Sequence, residues 1–275
     1  MLESAIVAAG IVGSMVYQKD LGGALIFFVV YFIVLYCATG RIFWILSGGV
    51  LLLGAGAASF KLFYHVKVRI QTWINPWKDP SGGGYQVLQS LFAIASWGFL
   101  GSGLGRGMPG KIPVVERDFI FSAICEEFGA FFGICIIVLF ATLFIMGIRI
   151  ALKGDKHFNI LLALGFTVLI GFQFFLIVGG VIKLIPLTGV TMPFISYGGT
   201  SVIVSLVIVG ILQWVNGSAE KEVAEKELEI PEEMPLAIEF SGNERYPFDE
   251  YGNEIDIMLG RQREAGEFDE TEKTH

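Results

Sequence analysis

The stretch KIPVVERDFIFSAICEEFG, Lys111 to Gly129, places two cations and four carboxylates at the approach to an apolar helix and in its first turns. From Phe119 the apolar run continues to Ile150, longer than the ~20 residues a bilayer crossing needs. Carboxylates are costly where there is no water. Acids grouped at the mouth of a membrane helix are therefore candidates for function before they are candidates for packing.

Working outward, further apolar runs flank this stretch. Residues 4–17 form a short one, Leu21 to Thr39 a full span, and Ile42 to Phe60 another, softened by Gly48, Gly49, Gly54 and Gly56. On the far side, Phe158 to Ile182 and residues 194–215 complete a set of about six spans. The fold class expected is all-α, a polytopic membrane bundle. Residues 61–118 interrupt the pattern as a large loop outside the membrane. Within it, 86–101 reads as a short re-entrant or interfacial helix with Trp97 near the headgroups. Mean hydropathy of +0.66 and 54% hydrophobic residues agree with this class and exclude an ordinary soluble domain.

The net charge of −7 is unevenly shared. Residues 1–216 carry 13 Lys and Arg against 8 Asp and Glu, whereas 217–275 carry 6 against 18. Two regions are expected: a transmembrane domain, 1–216, and an acidic tail, 217–275, disordered apart from a solvated helix near 219–229. Basic residues in the short loops, Arg41 and the group Arg149, Lys153 and Lys156, place those loops and the tail in the cytoplasm by the positive-inside rule. Cys37, Cys125 and Cys135 lie in or beside apolar runs and read as buried free thiols. His65, His157 and His275 are too scattered for a zinc motif. GSGLGRG at 101–107 lacks the βαβ setting of a dinucleotide fingerprint.

Of the carboxylates before residue 217, Asp155 falls in a solvated loop and Asp79 is a weak candidate. Asp20 and the 116–127 group remain. On a regular helix beginning at Asp118, Ser122 and Cys125 share its face and Glu127 lies about 180° away. Each candidate also has a structural role to weigh. Asp118 suits a helix N-cap, Glu126 and Glu127 suit pairing with a Lys or Arg, Asp20 suits a polar hinge, and SYGGTS (196–201) suits helix packing.

These residues carry a resemblance. DFIFSAICEEFG (118–129), PLTGVTMPFISYGGTS (186–201), NPWKDPSGGGYQVLQSLFAIASWGFLGSGLG (75–105) and QKDLGGAL (18–25) resemble, in the same order, motifs of the SEDS family, the FtsW/RodA/SpoVE group. The match covers the C-terminal six of that family's usual ten spans, so about four N-terminal helices are not represented. Lys19 stands where the family motif has Pro, and VVER (114–117) departs from the family pattern before Asp118. The resemblance implies a peptidoglycan glycosyltransferase polymerising lipid II at the outer face of the bacterial cytoplasmic membrane. It implies a class B penicillin-binding protein as partner and contact with membrane lipid, and nothing points to nucleic acid.

The resemblance also implies that the acid of DFIF, here Asp118, is the catalytic residue. Glycosyl transfer from a lipid diphosphate needs a base for the acceptor hydroxyl and positive charge near the leaving diphosphate. Lys111, Arg117, Arg106 and Arg69 are candidates for the second role. The motif positions Asp20, Gln86, Gln89, Glu126, Ser196, Tyr197, Gly198 and Gly199 are the remaining expected substrate contacts. No cofactor is expected, with room left for a divalent cation. Two other readings stay open: a flippase or transporter of the lipid-linked precursor, and a non-catalytic division scaffold or truncated remnant. A transporter would hold its critical acids at mid-membrane.

Overall fold

The computed structural model describes residues 2–96, 98–154 and 156–228, with side chains described from Glu3 to Lys221. Trp97, Asp155 and the acidic segment from residue 229 onward lie outside the described residues. Among the described residues, five helices are long and apolar enough to cross a membrane: α2 (Leu21–Thr39), α3 (Phe43–Leu62), α7 (Ile120–Lys153), α8 (His157–Val181) and α9 (Gly199–Leu228), the last over its first 23 residues. The expected first span is the shorter apolar helix α1 (Leu2–Tyr17).

Hydropathy placed these helices within a few residues, with one correction. Residues 194–198, expected to open the last span, form a loop in which Phe194 takes φ 65°, and α9 starts at Gly199. At its other end α9 runs without a break past residue 217 to Leu228. The large loop holds more helix than its composition suggests. It contains α4 (Tyr64–Ile74), α5 (Tyr85–Ser96) and the single turn α6 (Val115–Asp118), with 3-10 turns at Pro76–Lys78 and Pro109–Lys111.

α8 is the centre of the bundle and packs against α2, α5, α7 and α9. Phe140 of α7 stacks on Phe174 of α8 with ring centroids 4.0 Å apart. At Gly147 the backbones come so close that a Cβ would strike the Thr167 side chain, the small-residue approach common between membrane helices. Outward faces are apolar, with Leu53 78% and Val50 71% exposed, as lipid contact requires. Of the cysteines, Cys125 alone is buried. Cys37 and Cys135 are exposed on lipid-type helix surfaces, which corrects the expectation that all three are interior.

α7 is broken. Gly129 has φ 80° and ψ 175° inside the helix, which frees backbone groups on both sides. Residues 98–108 take them up. Ser102 and Gly103 N–H donate to the Glu126 and Glu127 carbonyls (both 2.9 Å), and Ala130 and Phe131 N–H donate to the Gly98 and Phe99 carbonyls (both 3.2 Å). Each unsatisfied group in hydrocarbon would cost several kcal/mol, so the glycine loop acts as a splint. The backbones of Gly101 and Gly129 cross so tightly that a Cβ on either would collide with the other segment's backbone. The carboxylates follow the same design. Glu126, 7% exposed, accepts from Met108 N–H at 2.8 Å, and Glu127 accepts from Gly105 N–H at 3.2 Å. Their partners are loop amides, not the Lys or Arg expected.

Candidate active site

Asp118 ends α6 and does not begin α7. Phe119, with φ −120° and ψ 19°, separates the two helices and occupies the N-cap position of α7 without a side-chain cap. This overturns both the capping role for Asp118 and the single regular helix on which its angle to Glu127 was reckoned. Phe119 is 1% exposed and anchors the turn in the core. Among the described residues no hydrogen bond engages the Asp118 carboxylate. The group is half-buried, and burial raises its pKa above the ordinary aspartate value, with Arg69 and then Arg117 pulling it back.

The loop before α9 fixes this carboxylate in place. Ser196, 1% exposed, donates from Oγ to the Arg117 carbonyl at 2.6 Å and accepts from Met192 N–H at 2.8 Å. Tyr197 N–H donates to the Glu116 carbonyl at 2.8 Å. The SYGG segment thus clamps the residues immediately before Asp118 by their backbone. The Tyr197 ring itself is exposed, Gly198 leads into α9, and Gly199 is its first residue. Beneath the site a buried pair of hydroxyls, Ser90 and Ser122, lie 2.6 Å apart and join α5 to α7.

Asp118 lines a cavity of about 390 Å³. One wall is a face of α4, where Tyr64, Val68 and Thr72 alternate with His65, Arg69 and Trp73 at four-residue spacing. Gln86 of α5 and Lys183, Ile185 and Leu187 beyond α8 add to the lining. Arg69 Nη1 donates to the Thr188 carbonyl at 2.7 Å, and Trp73 Nε1 donates to the Lys183 carbonyl at 3.1 Å. Two hydrogen bonds therefore tie α4 to the 183–188 segment across the cavity.

Of the expected residues, the cavity gathers Asp118, Arg69 and Gln86. Lys111, Arg106 and Arg117 are exposed and do not line it, although Arg117 acts on Asp118 through its charge. Gln89 is half-buried beside it on α5, and Glu126 is occupied at the splint. Asp20 belongs to a second cavity of about 590 Å³, lined by α1, α2, α8 and residues 189–191, where it caps α2 by accepting from Gly23 N–H at 2.9 Å. Asp79 closes the turn before α5 by accepting from Gly82 and Gly83 N–H. The sequence reading missed Lys183 and His65. Lys183 had a signal: it is the sole Lys or Arg between residues 157 and 216.

Fold and cavity together put the chain among polytopic helical membrane proteins with a polar cleft at one end of an apolar bundle. Comparison narrows the class. The family model that joins FtsW, RodA and SpoVE, described as "Cell cycle protein", matches residues 1–221. The chain belongs to this family.

Among its relatives, the "Peptidoglycan glycosyltransferase RodA" of Mycobacterium bovis is 40% identical over 210 residues, 76% of this chain and 45% of that protein. The stage V sporulation protein E of Bacillus subtilis is 37% identical over 71% of this chain and 54% of its own length. The chain spans about half the length of the curated relatives it matches. A chain from the structure "Structural coordination of polymerization and crosslinking by a peptidoglycan synthase complex" superposes with a TM-score of 0.66 at 28% identity, over 78% of this chain and 61% of that one. A mutant of the rod shape determining protein RodA from Thermus thermophilus shares the fold, with a TM-score of 0.51 at 24% identity over 80% and 57%.

Proposed function

We propose that the chain provides the catalytic half of a peptidoglycan glycosyltransferase that polymerises lipid II, with Asp118 as its general base. The reading rests on one observation above the others: a half-buried carboxylate with no hydrogen-bond partner among the described residues faces a cavity shared with Arg69 and Lys183. In the proposed step the 4-hydroxyl of the acceptor's terminal GlcNAc attacks C1 of the donor's MurNAc. The C1–O bond to undecaprenyl diphosphate breaks as the new glycosidic bond forms, and the hydroxyl proton passes to Asp118. Cationic side chains stabilise the charge left on the diphosphate. The proposal includes no cofactor.

The site is assigned to the outer face of a bacterial cytoplasmic membrane, with the C-terminus inside, on the distribution of Lys and Arg among the short loops. A class B penicillin-binding protein is the partner proposed. Support comes from the structural neighbour, whose description joins polymerisation to crosslinking in one complex. Asp118 stands before α7, outside the spans, which favours chemistry at the membrane surface over passage through it.

The test is Asp118→Asn in the longest native form of the protein, assayed for glycan strands from lipid II. Loss of polymer with the folded protein and partner binding retained is the expected result. Full polymer formation by this variant would remove Asp118 from the mechanism.

A further inference from the structure

The Asp118 cavity is lined by a second cation, Lys183, which neither spacing nor motif had singled out. Its backbone is held from three sides. Trp73 Nε1 takes its carbonyl, its N–H donates to the Gly180 carbonyl at 3.2 Å, and the next residue, Leu184, donates to the Gly179 carbonyl at 2.7 Å. These bonds hold Lys183 at φ 65°, a left-handed conformation uncommon for a residue with a side chain. Such strain persists only where the surroundings over-determine it. Among the described residues, no hydrogen bond or ion pair engages its ammonium. The arrangement fixes where the side chain starts and leaves its charge free.

The charges in the cavity do not balance. Arg69 and Lys183 line it with a single carboxylate, Asp118, and with His65, Tyr64, Thr72 and Gln86 as further polar lining groups. Arg69 and Lys183 stand on separate elements, α4 and the segment after α8, joined through the Trp73 and Thr188 bonds. Two cations from separate elements suit an anion with two phosphoryl groups better than one with a single phosphoryl group. At about 390 Å³ the cavity holds a head group and leaves a lipid tail to the apolar helices around it.

We propose that Lys183, acting with Arg69, is the diphosphate-binding cation pair of this cavity and gives it preference for a lipid-linked diphosphate over a monophosphate. The proposal rests on the polymerase reading for the identity of the lipid and on the cavity alone for the chemistry of the anion. A lysine that merely complemented the C-terminal end of α8 would alter stability and leave ligand preference untouched.

The experiment measures binding of undecaprenyl diphosphate and undecaprenyl monophosphate to the purified chain in nanodiscs, read from tryptophan fluorescence and checked by calorimetry. The parent is expected to favour the diphosphate. Lys183→Met keeps the apolar stem and every backbone bond described above. It should bind the diphosphate roughly tenfold more weakly, the loss of about one charge-assisted contact, with the monophosphate little changed. Lys183→Arg should restore the preference. Inorganic pyrophosphate, added at equal concentration, should displace little of the lipid, and equal displacement would overturn the lipid-linked assignment.

Undiminished diphosphate binding by Lys183→Met would overturn the proposal, as would an equal loss for both lipids. Asp118→Asn separates the two readings, because it should retain diphosphate binding while losing polymer. If the parent makes no polymer and Lys183→Met still loses the preference, the activity reading falls and this one stands.

Discussion

The two cavities each contain one aspartate, and the two carboxylates are employed differently. Asp20 borders the larger space, about 590 Å³ with mostly apolar walls, and its oxygen is occupied by the first turn of α2. Asp118 borders the smaller one, shared with two cations, and no hydrogen bond among the described residues occupies it. The partition between them is the segment Leu187–Thr191. Leu187 faces the Asp118 side, and Gly189, Val190 and Thr191 face the Asp20 side. Arg69 grips this partition through the Thr188 carbonyl and Gln173 through that of Thr191. Cavity size is thus a poor guide to chemistry here. An acid already bonded to a helix end has little left to give a substrate, whereas an acid left free beside cations is available to move a proton.

The sharpest way to break this contrast is to neutralise each acid in turn. Asp118→Asn should lower polymerisation at least ~100-fold, the ordinary worth of a general base. Asp20→Asn should stay within a few-fold, because Asn caps a helix nearly as well. Comparable losses, measured as turnover of labelled lipid II, would show that Asp20 also takes part in the chemistry.

Next in size is the clamp behind Asp118. Ser196→Ala leaves the part-buried Arg117 carbonyl and the buried Met192 N–H without their partner, at a cost of about 1–3 kcal/mol. The midpoint of thermal unfolding in detergent should fall and polymerisation should fall with it, since the residues before Asp118 lose their anchor. Asp20→Ala, in contrast, should cost about 1 kcal/mol, the worth of an N-cap, with polymerisation by the folded protein preserved.

The smallest effect is a displacement in pH. Burial holds the folded pKa of Asp118 above its unfolded value. The protonated form is therefore the one the fold favours. Its contribution to stability is complete below the unfolded pKa and is lost as pH rises through the folded one. A base must be ionised, so the acidic limb of the rate profile should sit above the ordinary aspartate range. Arg69→Gln removes a charge that lowers this pKa, so the limb should move to higher pH. A limb that moves down or stays fixed would show that Arg69 does not act on Asp118 through its charge.

Much of the frame was legible beforehand because lipid imposes a simple rule: α2 was placed to the residue, and α3, α7 and α8 within three residues at either end. What escaped reading depends on contacts between distant segments. α4 has a mixed polar face because it lines a cavity, so it carries no strong apolar stripe. The break at Gly129 is invisible in an apolar run, since glycine alone permits φ 80° without requiring it. Capping was the sound local reading of Asp-Phe-Ile-Phe, and it failed because burial of Phe119 inserted a turn between α6 and α7. Lys183 was overlooked because its setting is made by Trp73, 110 positions earlier in the chain.

The crossing of Gly101 and Gly129 also bears on how the chain is assembled. The splint precedes α7 in the chain, so residues 98–108 are already synthesised when the helix emerges. A continuous helix would satisfy by itself the backbone groups that the loop now takes. Bending α7 is therefore an exchange of hydrogen bonds, internal ones for loop ones. A nascent chain that ends between residues 108 and 130 has made the splint but lacks the far side of the break that it grips.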